Sequence, residues 1–182
     1  MKVINLIGEA GVGKTTTAAG IFHNLSIKGY KSEYVPEIVK GYAWETPKDS
    51  NGKSLVHPIF KQQVYILGEQ NRHLERLREH RDVAIVESPL ILTAIYKPDN
   101  YLDSFENIVL EMFNTYDNVN IVLERTHNYD TNGRVQTEEE SKTIRKLLLN
   151  YLDRNNIEYV LFKTHKKISK EITKYIIKNH LS

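Results

Sequence analysis

The sequence contains no cysteine. Disulfides and cysteine-ligated zinc sites are therefore excluded, which suits a protein that stays in a reducing cytosol. The sequence also lacks any apolar run close to the roughly 20 residues that a membrane-spanning helix needs. Its first residues have the pattern of a strand rather than of a signal peptide. We therefore expect a soluble, cytoplasmic protein without a membrane partner.

Charge of either sign is not in large excess. The 25 lysines and arginines against 23 aspartates and glutamates give a formal net charge of +2, so no overall field favours a polyanionic partner. Internal repeats and low-complexity segments are also absent from the sequence. A chain of 182 residues can bury a substantial core, and we expect residues 1–182 to form one domain.

A glycine-rich segment near the amino terminus is the most informative motif of the sequence. Residues 8–15 read GEAGVGKT, which matches the P-loop pattern G-x-x-x-x-G-K-[ST]. A short run of branched apolar residues at 3–7 precedes the motif, and a helical pattern at 14–28 follows it. A strand that leads through a glycine loop into a helix is the context in which this motif binds nucleotide phosphates.

Each residue type in this segment has a chemical reason. Glycines allow consecutive backbone N–H groups to turn towards one point, where the helix N-terminus adds positive potential. The Lys14 ammonium is expected to reach the β- and γ-phosphates of ATP, and the Thr15 hydroxyl to ligate Mg²⁺. The residues predicted to bind the nucleotide are Gly8, Glu9, Ala10, Gly11, Val12, Gly13, Lys14, Thr15 and Thr16.

Apolar runs of strand length alternate with helical patterns along the rest of the chain. Such alternation is typical of right-handed βαβ units with a parallel sheet. We therefore predict a three-layer α/β P-loop NTPase fold, in which a five-stranded parallel sheet has helices on both faces. The strands are expected at residues 3–7, 34–35, 83–86, 119–123 and 159–162, and the helices at 14–28, 58–80, 103–114, 137–154 and 167–179.

Acidic residues follow two of the predicted strands. Glu37 comes shortly after the second strand, and Glu87 comes directly after the third. In a parallel sheet these positions lie at the edge where the nucleotide binds. Glu87 matches the Walker B position, at which a carboxylate holds Mg²⁺ directly or through water. Glu37 is expected to accept the proton of an attacking hydroxyl or to orient an attacking water.

Two arginines border the polar segment that follows the fourth strand, Arg125 at its start and Arg134 after the glycine at position 133. This composition predicts a small lid at about residues 125–137 that closes over the transferred phosphoryl group, where guanidinium groups offset developing negative charge.

The next helix has a start signal, because Thr137 and Glu140 have the spacing of a capping box. Residues 44–55 are predicted to form another polar loop.

Lysines dominate the C-terminal segment, where Glu171 is the only acid among them and isoleucines recur at helical spacing. The simplest interpretation is a helix that docks through its isoleucines and has a solvated basic face. A nucleic-acid surface is the alternative. The lysines are Lys163, Lys166, Lys167, Lys170, Lys174 and Lys178.

With these features the sequence resembles the P-loop nucleoside and nucleotide kinase superfamily along nearly its whole length. The resemblance rests on residues 8–15, on Glu37 and Glu87, and on the arginines of the predicted lid. Glu37 followed by Trp44 is similar to the segment of deoxynucleoside kinases in which a glutamate activates the sugar hydroxyl and a tryptophan lines the pocket. The resemblance implies transfer of the ATP γ-phosphoryl group to a nucleoside- or nucleotide-type hydroxyl. The residues expected to be catalytic are Lys14, Glu37, Arg125 and Arg134, and those expected to ligate the metal are Thr15 and Glu87.

A closer resemblance is to small kinase-like ATPases common in phage genomes. It is carried by residues 87–90 with Tyr96, and by residues 129–140 of the predicted lid and helix. Some of these relatives phosphorylate nicotinamide riboside, and others phosphorylate 5-hydroxymethyluracil already inside phage DNA. The resemblance therefore implies as acceptor either a free nucleoside-type molecule or a modified base in DNA, in the host cytoplasm if the chain is phage-encoded.

Two departures from the kinase patterns bear on the acceptor. Ser88 follows the acid of the third strand, where deoxynucleoside kinases usually carry arginine, and no arginine suited to an acceptor phosphate lies near Glu37 in the sequence. An acceptor hydroxyl in a larger or unusual substrate is therefore favoured.

An ATPase or GTPase switch is a minor alternative. Residues 130–133 do fit D-x-x-G, but they follow the fourth strand, and no N-K-x-D segment is present.

Overall fold

A parallel β-sheet forms the centre of the molecule. The computed structural model describes residues 1–44, 50, 58–126 and 138–181. Within these residues the strands are β1 (Lys2–Ile7), β2 (Ser32–Val35), β3 (Val83–Val86), β4 (Asp117–Glu124) and β5 (Val160–Lys163). They pair in the order β2-β3-β1-β4-β5, and every pair is parallel. Short runs of branched apolar residues suit a parallel sheet, because both of its faces are covered.

Helices connect the strands and cover the two faces of the sheet. In the described part of the chain they are α1 (Lys14–Ser26), α2 (Val39–Trp44), α3 (Gln63–Glu75), α4 (Leu92–Ile95), α5 (Phe105–Asn114), α6 (Glu138–Arg154) and α7 (Ile168–His180). A 3₁₀ turn (Pro58–Lys61) precedes α3. None of these helices has the length and apolar character that crossing a membrane requires.

Two apolar cores lie on opposite faces of the sheet, and β1 contributes to both. Val3 and Ile7 belong to one core, whereas Ile4 and Leu6 belong to the other, because successive side chains of a strand point to opposite faces. The first core contains side chains of α3, α4, α5 and α6, and the second contains side chains of α1 and α7. The predicted three-layer α/β fold is therefore confirmed.

Every predicted strand overlaps a strand of the structure, but the helices differ in four places. The helix predicted at 58–80 is interrupted at Gln62, whose backbone (φ −99°, ψ 59°) leaves the helical region and separates the 3₁₀ turn from α3. The same helix ends early, at Glu75. Neither α2 nor α4 was predicted, because helices of six and four residues are too short to show an apolar period.

Parts of the predicted loop, lid and capping box lie outside the described residues. Trp44 is the last residue of α2 rather than the first of the predicted loop, and residues 45–49 and 51–57 are not described. Residues 127–137, which include Thr137 of the predicted capping box, are also outside the described ranges. The helix predicted after the lid begins at Glu138.

Close contact between α1 and α7 holds the second layer together. Nδ2 of Asn24 donates a hydrogen bond to Oγ1 of Thr173 at 3.3 Å. One turn earlier in each helix, a Cβ added to Gly20 would lie 2.6 Å from the Cβ of Ser169. The two helices therefore approach each other at a position where only glycine fits.

Gly20→Ala is expected to destabilise the protein by about 1–3 kcal/mol, because the added methyl group would force α1 and α7 apart. The matched control is Gly68→Ala in α3, where nothing lies within 4 Å of an added Cβ. Alanine should stabilise that helix by about 0.5–1 kcal/mol. Urea denaturation measures both changes. A Gly20→Ala variant as stable as the wild type would contradict the close approach of the two helices.

Candidate active site

The carboxyl ends of the strands bring the predicted site residues to one edge of the sheet. β1 leads into the P-loop, Glu87 directly follows β3, Glu37 lies two residues after β2, and Arg125 directly follows β4. Because β1 lies between β3 and β4, the P-loop occupies the middle of this edge. The parallel topology thus gathers residues that are distant in sequence around one loop.

Backbone geometry explains two glycines of the P-loop. A Cβ added to Gly8 would lie 2.8 Å from Cγ1 of Val12 and 3.2 Å from the carbonyl oxygen of Leu123 in β4, so only glycine allows this approach. Gly13 has φ +94° directly before the first residue of α1, a conformation that favours glycine. The loop therefore stays against the sheet until α1 begins, and the N-terminus of α1 opens at the loop.

Lys14 reaches back over the P-loop. Its Nζ donates hydrogen bonds to the carbonyl oxygens of Gly8 at 2.8 Å and Glu9 at 3.0 Å. The Val12 side chain is fully buried and anchors the loop in the second core, whereas Thr16 is exposed in the first turn of α1. An ammonium group above a glycine loop at a helix N-terminus is suited to a polyphosphate.

The carboxylate of Glu87 is buried, with only 2% of the residue exposed, and both of its oxygens accept hydrogen bonds from hydroxyl groups. Thr15 donates to Oε1, and Tyr34 of β2 donates to Oε2. Burial, followed by the hydrogen bond and the negative charge of Glu87, raises the pKa of Tyr34, so this phenol remains a donor at neutral pH. The two hydroxyls fix the orientation of the carboxylate from two sides.

A cation already lies beside this pair of oxygens. Nζ of Lys40 in α2 donates a hydrogen bond to Oγ1 of Thr15 at 3.1 Å and lies 3.9 Å from Oε1 of Glu87. A hydroxyl and a carboxylate are ligands that Mg²⁺ accepts in proteins, usually together with phosphate oxygens and water. Since these two oxygens have a cation beside them in this structure, the residues present fit a divalent metal ion.

Glu37 is half-buried and lies near enough to the charges of Lys14, Glu87 and Lys40 to be affected by them. Burial raises the pKa of its carboxyl group. The ammonium of Lys14 counteracts this, the negative charge of Glu87 raises the pKa further, and Lys40 lowers it. The net direction is upward, so this carboxylate holds a proton more readily than an exposed glutamate does.

The end of β4 presents a second cluster of charge. Arg125 is partly buried directly after this strand, and the guanidinium of Arg145 in α6 donates a hydrogen bond to Glu124 at 2.9 Å. The structure therefore attaches α6, the helix that follows the predicted lid, to the end of β4. Arg134 lies outside the described residues, and so does the side chain of Trp44.

Three residues of this edge, Tyr34, Lys40 and Arg145, belong to no sequence motif and were missed by reasoning from the sequence. Lys40 is the second residue of α2 and follows Glu37 by three positions, but a six-residue helix shows no apolar period from which to predict its side-chain directions. Tyr34 and Arg145 gave no comparable signal, because an aromatic residue in a strand and an arginine in an amphipathic helix are common. Only the folded chain brings them to the site.

A family model described as an AAA domain matches residues 3–167 of the chain. The chain belongs to this AAA-domain family. No curated protein sequence matches the chain at a significant level.

Solved structures extend the description of this AAA-domain protein. The NadR protein in complex with NR has a TM-score of 0.71 at 14% identity, and the match covers 98% of this chain and 50% of that chain. NadR in complex with NAD and AMP-PNP has a TM-score of 0.66 at 13% identity, over 100% of this chain and 50% of that chain. The AAA-domain chain therefore spans about half the length of the NadR chains that it matches.

Two further structures match over most of both chains. Thymidylate kinase from Ehrlichia chaffeensis has a TM-score of 0.60 at 11% identity, covering 100% of this chain and 98% of that chain. Deoxyadenosine kinase from M. mycoides, with bound products, has a TM-score of 0.50 at 19% identity and the same coverage. At these identities the likeness shows the fold, and it agrees with the predicted three-layer α/β P-loop NTPase fold of this member of the AAA-domain family.

Glu37→Gln is expected to stabilise the protein at about pH 8, because the folded state holds the charged carboxylate at a cost. The pKa of Glu37 is higher in the folded protein than in the unfolded chain, so wild-type stability falls as the pH rises from the ordinary carboxyl range through the raised value. The gain of the variant should be complete above the folded pKa and vanish towards about pH 4.

Urea denaturation across this pH range measures the difference. Glu79→Gln is the control, because Glu79 is an exposed carboxylate whose replacement should change the free energy of unfolding by less than about 0.5 kcal/mol at each pH. A Glu37→Gln variant less stable than wild type at high pH would contradict the raised pKa.

Proposed function

We propose that the chain is an ATP-dependent kinase that transfers the γ-phosphoryl group to a hydroxyl of a nucleoside- or nucleotide-type acceptor. The observation that supports this most directly is that Lys14, the Thr15–Glu87 pair and Glu37 meet at one edge of the sheet. A phosphate-binding ammonium, an oxygen pair suited to a metal ion and a carboxylate base are the parts that phosphoryl transfer uses.

In this proposal Glu37 removes the proton from the acceptor hydroxyl. The acceptor oxygen then forms a bond to the γ-phosphorus, the bond from that phosphorus to the β–γ bridging oxygen breaks, and ADP leaves. The raised pKa of Glu37 favours this role, because a general base is most effective when its pKa lies near the working pH. Lys14 and the loop N–H groups stabilise the negative charge on the phosphates.

Thr15 and Glu87 would hold Mg²⁺, with the remaining ligands supplied by phosphate and water. The ion, when bound, would offset the charge of the β- and γ-phosphates. Tyr34 would support this arrangement through its hydrogen bond to Glu87, since groups that orient a metal ligand tune the site. ATP as the phosphate donor agrees with the P-loop and with the AMP-PNP complex of NadR.

Arg125 and Arg134 are proposed to contribute positive charge from the lid at about residues 125–137. Arg125 supports this idea by its place directly after β4, beside the P-loop. An arginine that contacts the transferring phosphoryl group is worth about 10³–10⁵ in rate in other phosphotransferases. The names of the structural matches, thymidylate kinase and deoxyadenosine kinase among them, support an acceptor of the nucleoside or nucleotide class.

A modified base within DNA is the second candidate acceptor, and the surface of α7 favours it. Lys170, Lys174 and Lys178 are exposed and recur at four-residue spacing, so they form a basic stripe along one side of the helix. Lysines in such a row can neutralise successive phosphates of a nucleic acid. Phosphorylation of 5-hydroxymethyluracil in DNA would combine this surface with the kinase site.

Transfer of label from γ-labelled ATP distinguishes the candidates. One pool contains free nucleosides and nucleotides, and the other contains duplex DNA with 5-hydroxymethyl pyrimidines. We expect label in the small-molecule pool, whereas label only in DNA would favour the second candidate. ATP hydrolysis without transfer to either pool would favour a non-kinase ATPase, and equal or tighter binding of GTP than ATP would favour a GTPase switch.

Lys14→Ala and Arg134→Ala are both expected to lower phosphoryl transfer by at least about 100-fold. Only Lys14→Ala should also weaken ATP binding by about tenfold or more, because Lys14 contacts the phosphates before and during transfer while the lid arginine acts mainly on the transition state. Transfer rates and ATP titration measure the two effects. Lys28→Ala and Arg76→Ala, at exposed positions, are the matched controls. Normal transfer by Arg134→Ala would refute the lid assignment.

A further inference from the structure

Lys40 joins two residues that the proposed function assigns to the metal ion. Its Nζ donates to Oγ1 of Thr15 at 3.1 Å, Thr15 donates to Oε1 of Glu87, and the ammonium lies 3.9 Å from that same carboxylate oxygen. The side chain of Lys40 is 46% exposed, whereas that of Glu87 is 3% exposed. The lysine therefore extends from the surface to a buried acid and supplies a positive charge there.

Charged groups of both signs surround this point. Glu37 and Glu87 supply two carboxylates, and Lys14 and Lys40 supply two ammonium groups whose fields both act on Glu37. Lys14 is occupied over the P-loop by the carbonyl oxygens of Gly8 and Glu9. Lys40 contacts the Thr15–Glu87 pair directly, at 3.1 Å from Oγ1 of Thr15 and 3.9 Å from Oε1 of Glu87.

An ammonium group and a metal ion cannot both occupy this place. Mg²⁺ binds oxygen at about 2.0–2.1 Å and Mn²⁺ prefers the same oxygen ligands, so a metal ion on Thr15 and Glu87 would lie within contact distance of the Lys40 ammonium. Two cations that close repel each other strongly in a partly buried site. In addition, the Thr15 oxygen that accepts from Lys40 would be needed as a metal ligand.

We propose that Lys40 is a built-in counter-ion of the metal site, which holds Thr15 and Glu87 together in the metal-free protein and is displaced when the metal ion binds. This inference rests on the proposed function, because it takes Thr15 and Glu87 as the metal-binding pair. Lys40 is a positioning residue here. Its departure releases α2 from Glu87, and α2 begins two residues after Glu37, so arrival of the metal is communicated to the segment that carries the proposed base.

Competition by Lys40 predicts a direct effect on metal affinity. Lys40→Met, which keeps the length of the side chain and removes its charge, should bind Mn²⁺ about three- to tenfold more tightly than wild type, because the metal no longer has to displace an ion pair. Lys40→Gln should behave in the same way. Electron paramagnetic resonance of free Mn²⁺ measures this, with and without AMP-PNP, at about 0.15 M salt so that distant charges are screened.

Two controls accompany the measurement. Lys28→Met removes a charge from an exposed position just beyond the end of α1 and should leave Mn²⁺ affinity unchanged. Glu87→Gln should weaken Mn²⁺ binding at least tenfold if Glu87 is a ligand. The melting temperature is a second readout. Without metal, that of Lys40→Met should be lower than that of wild type, and on addition of MnCl₂ it should rise more than that of wild type.

The outcomes separate this inference from the proposed function. Equal or weaker Mn²⁺ binding by Lys40→Met and Lys40→Gln, with weaker binding by Glu87→Gln, would overturn the counter-ion role and leave the metal site intact. Weaker binding by the Lys40 variants only when AMP-PNP is present would make Lys40 a phosphate contact and would also overturn it. Unchanged Mn²⁺ binding by Glu87→Gln would place the metal elsewhere, and both the metal assignment and the counter-ion role would then be wrong.

Discussion

The hydrogen-bonded carboxylate of Glu87 is the constraint on which the candidate site depends. Glu87 directly follows β3. Its carboxylate accepts one hydrogen bond from the hydroxyl of Thr15 at the start of α1 and another from the hydroxyl of Tyr34 in β2. A buried charge that loses its partners costs several kcal/mol. The P-loop, β2 and β3 must therefore keep their relative positions so that the Glu87 carboxylate keeps its hydrogen bonds. The packing of the sheet thus maintains the geometry of the site.

Ion pairing links charged side chains at this edge of the sheet, since Nζ of Lys40 lies 3.9 Å from Oε1 of Glu87. Two carboxylates and two ammonium groups offset one another, and burial still raises the pKa of Glu37 above its ordinary range. A nucleotide adds several negative charges, and a divalent cation compensates part of them. In the proposed function the nucleotide and the metal ion would therefore offset each other's charge at this edge.

The chain belongs to the AAA-domain family, and it shares its fold with NadR and with two kinases. In an open parallel sheet the loops at the carboxyl ends of the strands can change while the layers stay the same. The P-loop, Glu87 and Glu37 lie at the ends of strands, and in the proposed function they carry out the phosphoryl transfer itself. In the same proposal, the groups that would select the acceptor are sought in α2, which follows Glu37 in the chain.

The sequence by itself determined the P-loop, the five strands, the acids that follow β2 and β3, and the layered α/β fold. These features rest on local pattern, because glycine spacing, apolar runs and the residue after a strand can be read without knowing which strands are neighbours. Only the tertiary structure decided that Tyr34 and Lys40 converge on the Thr15–Glu87 pair and that Arg145 holds Glu124. Those contacts join residues from separate elements through the order of the strands and through the short helix α2, and no local pattern carries that information.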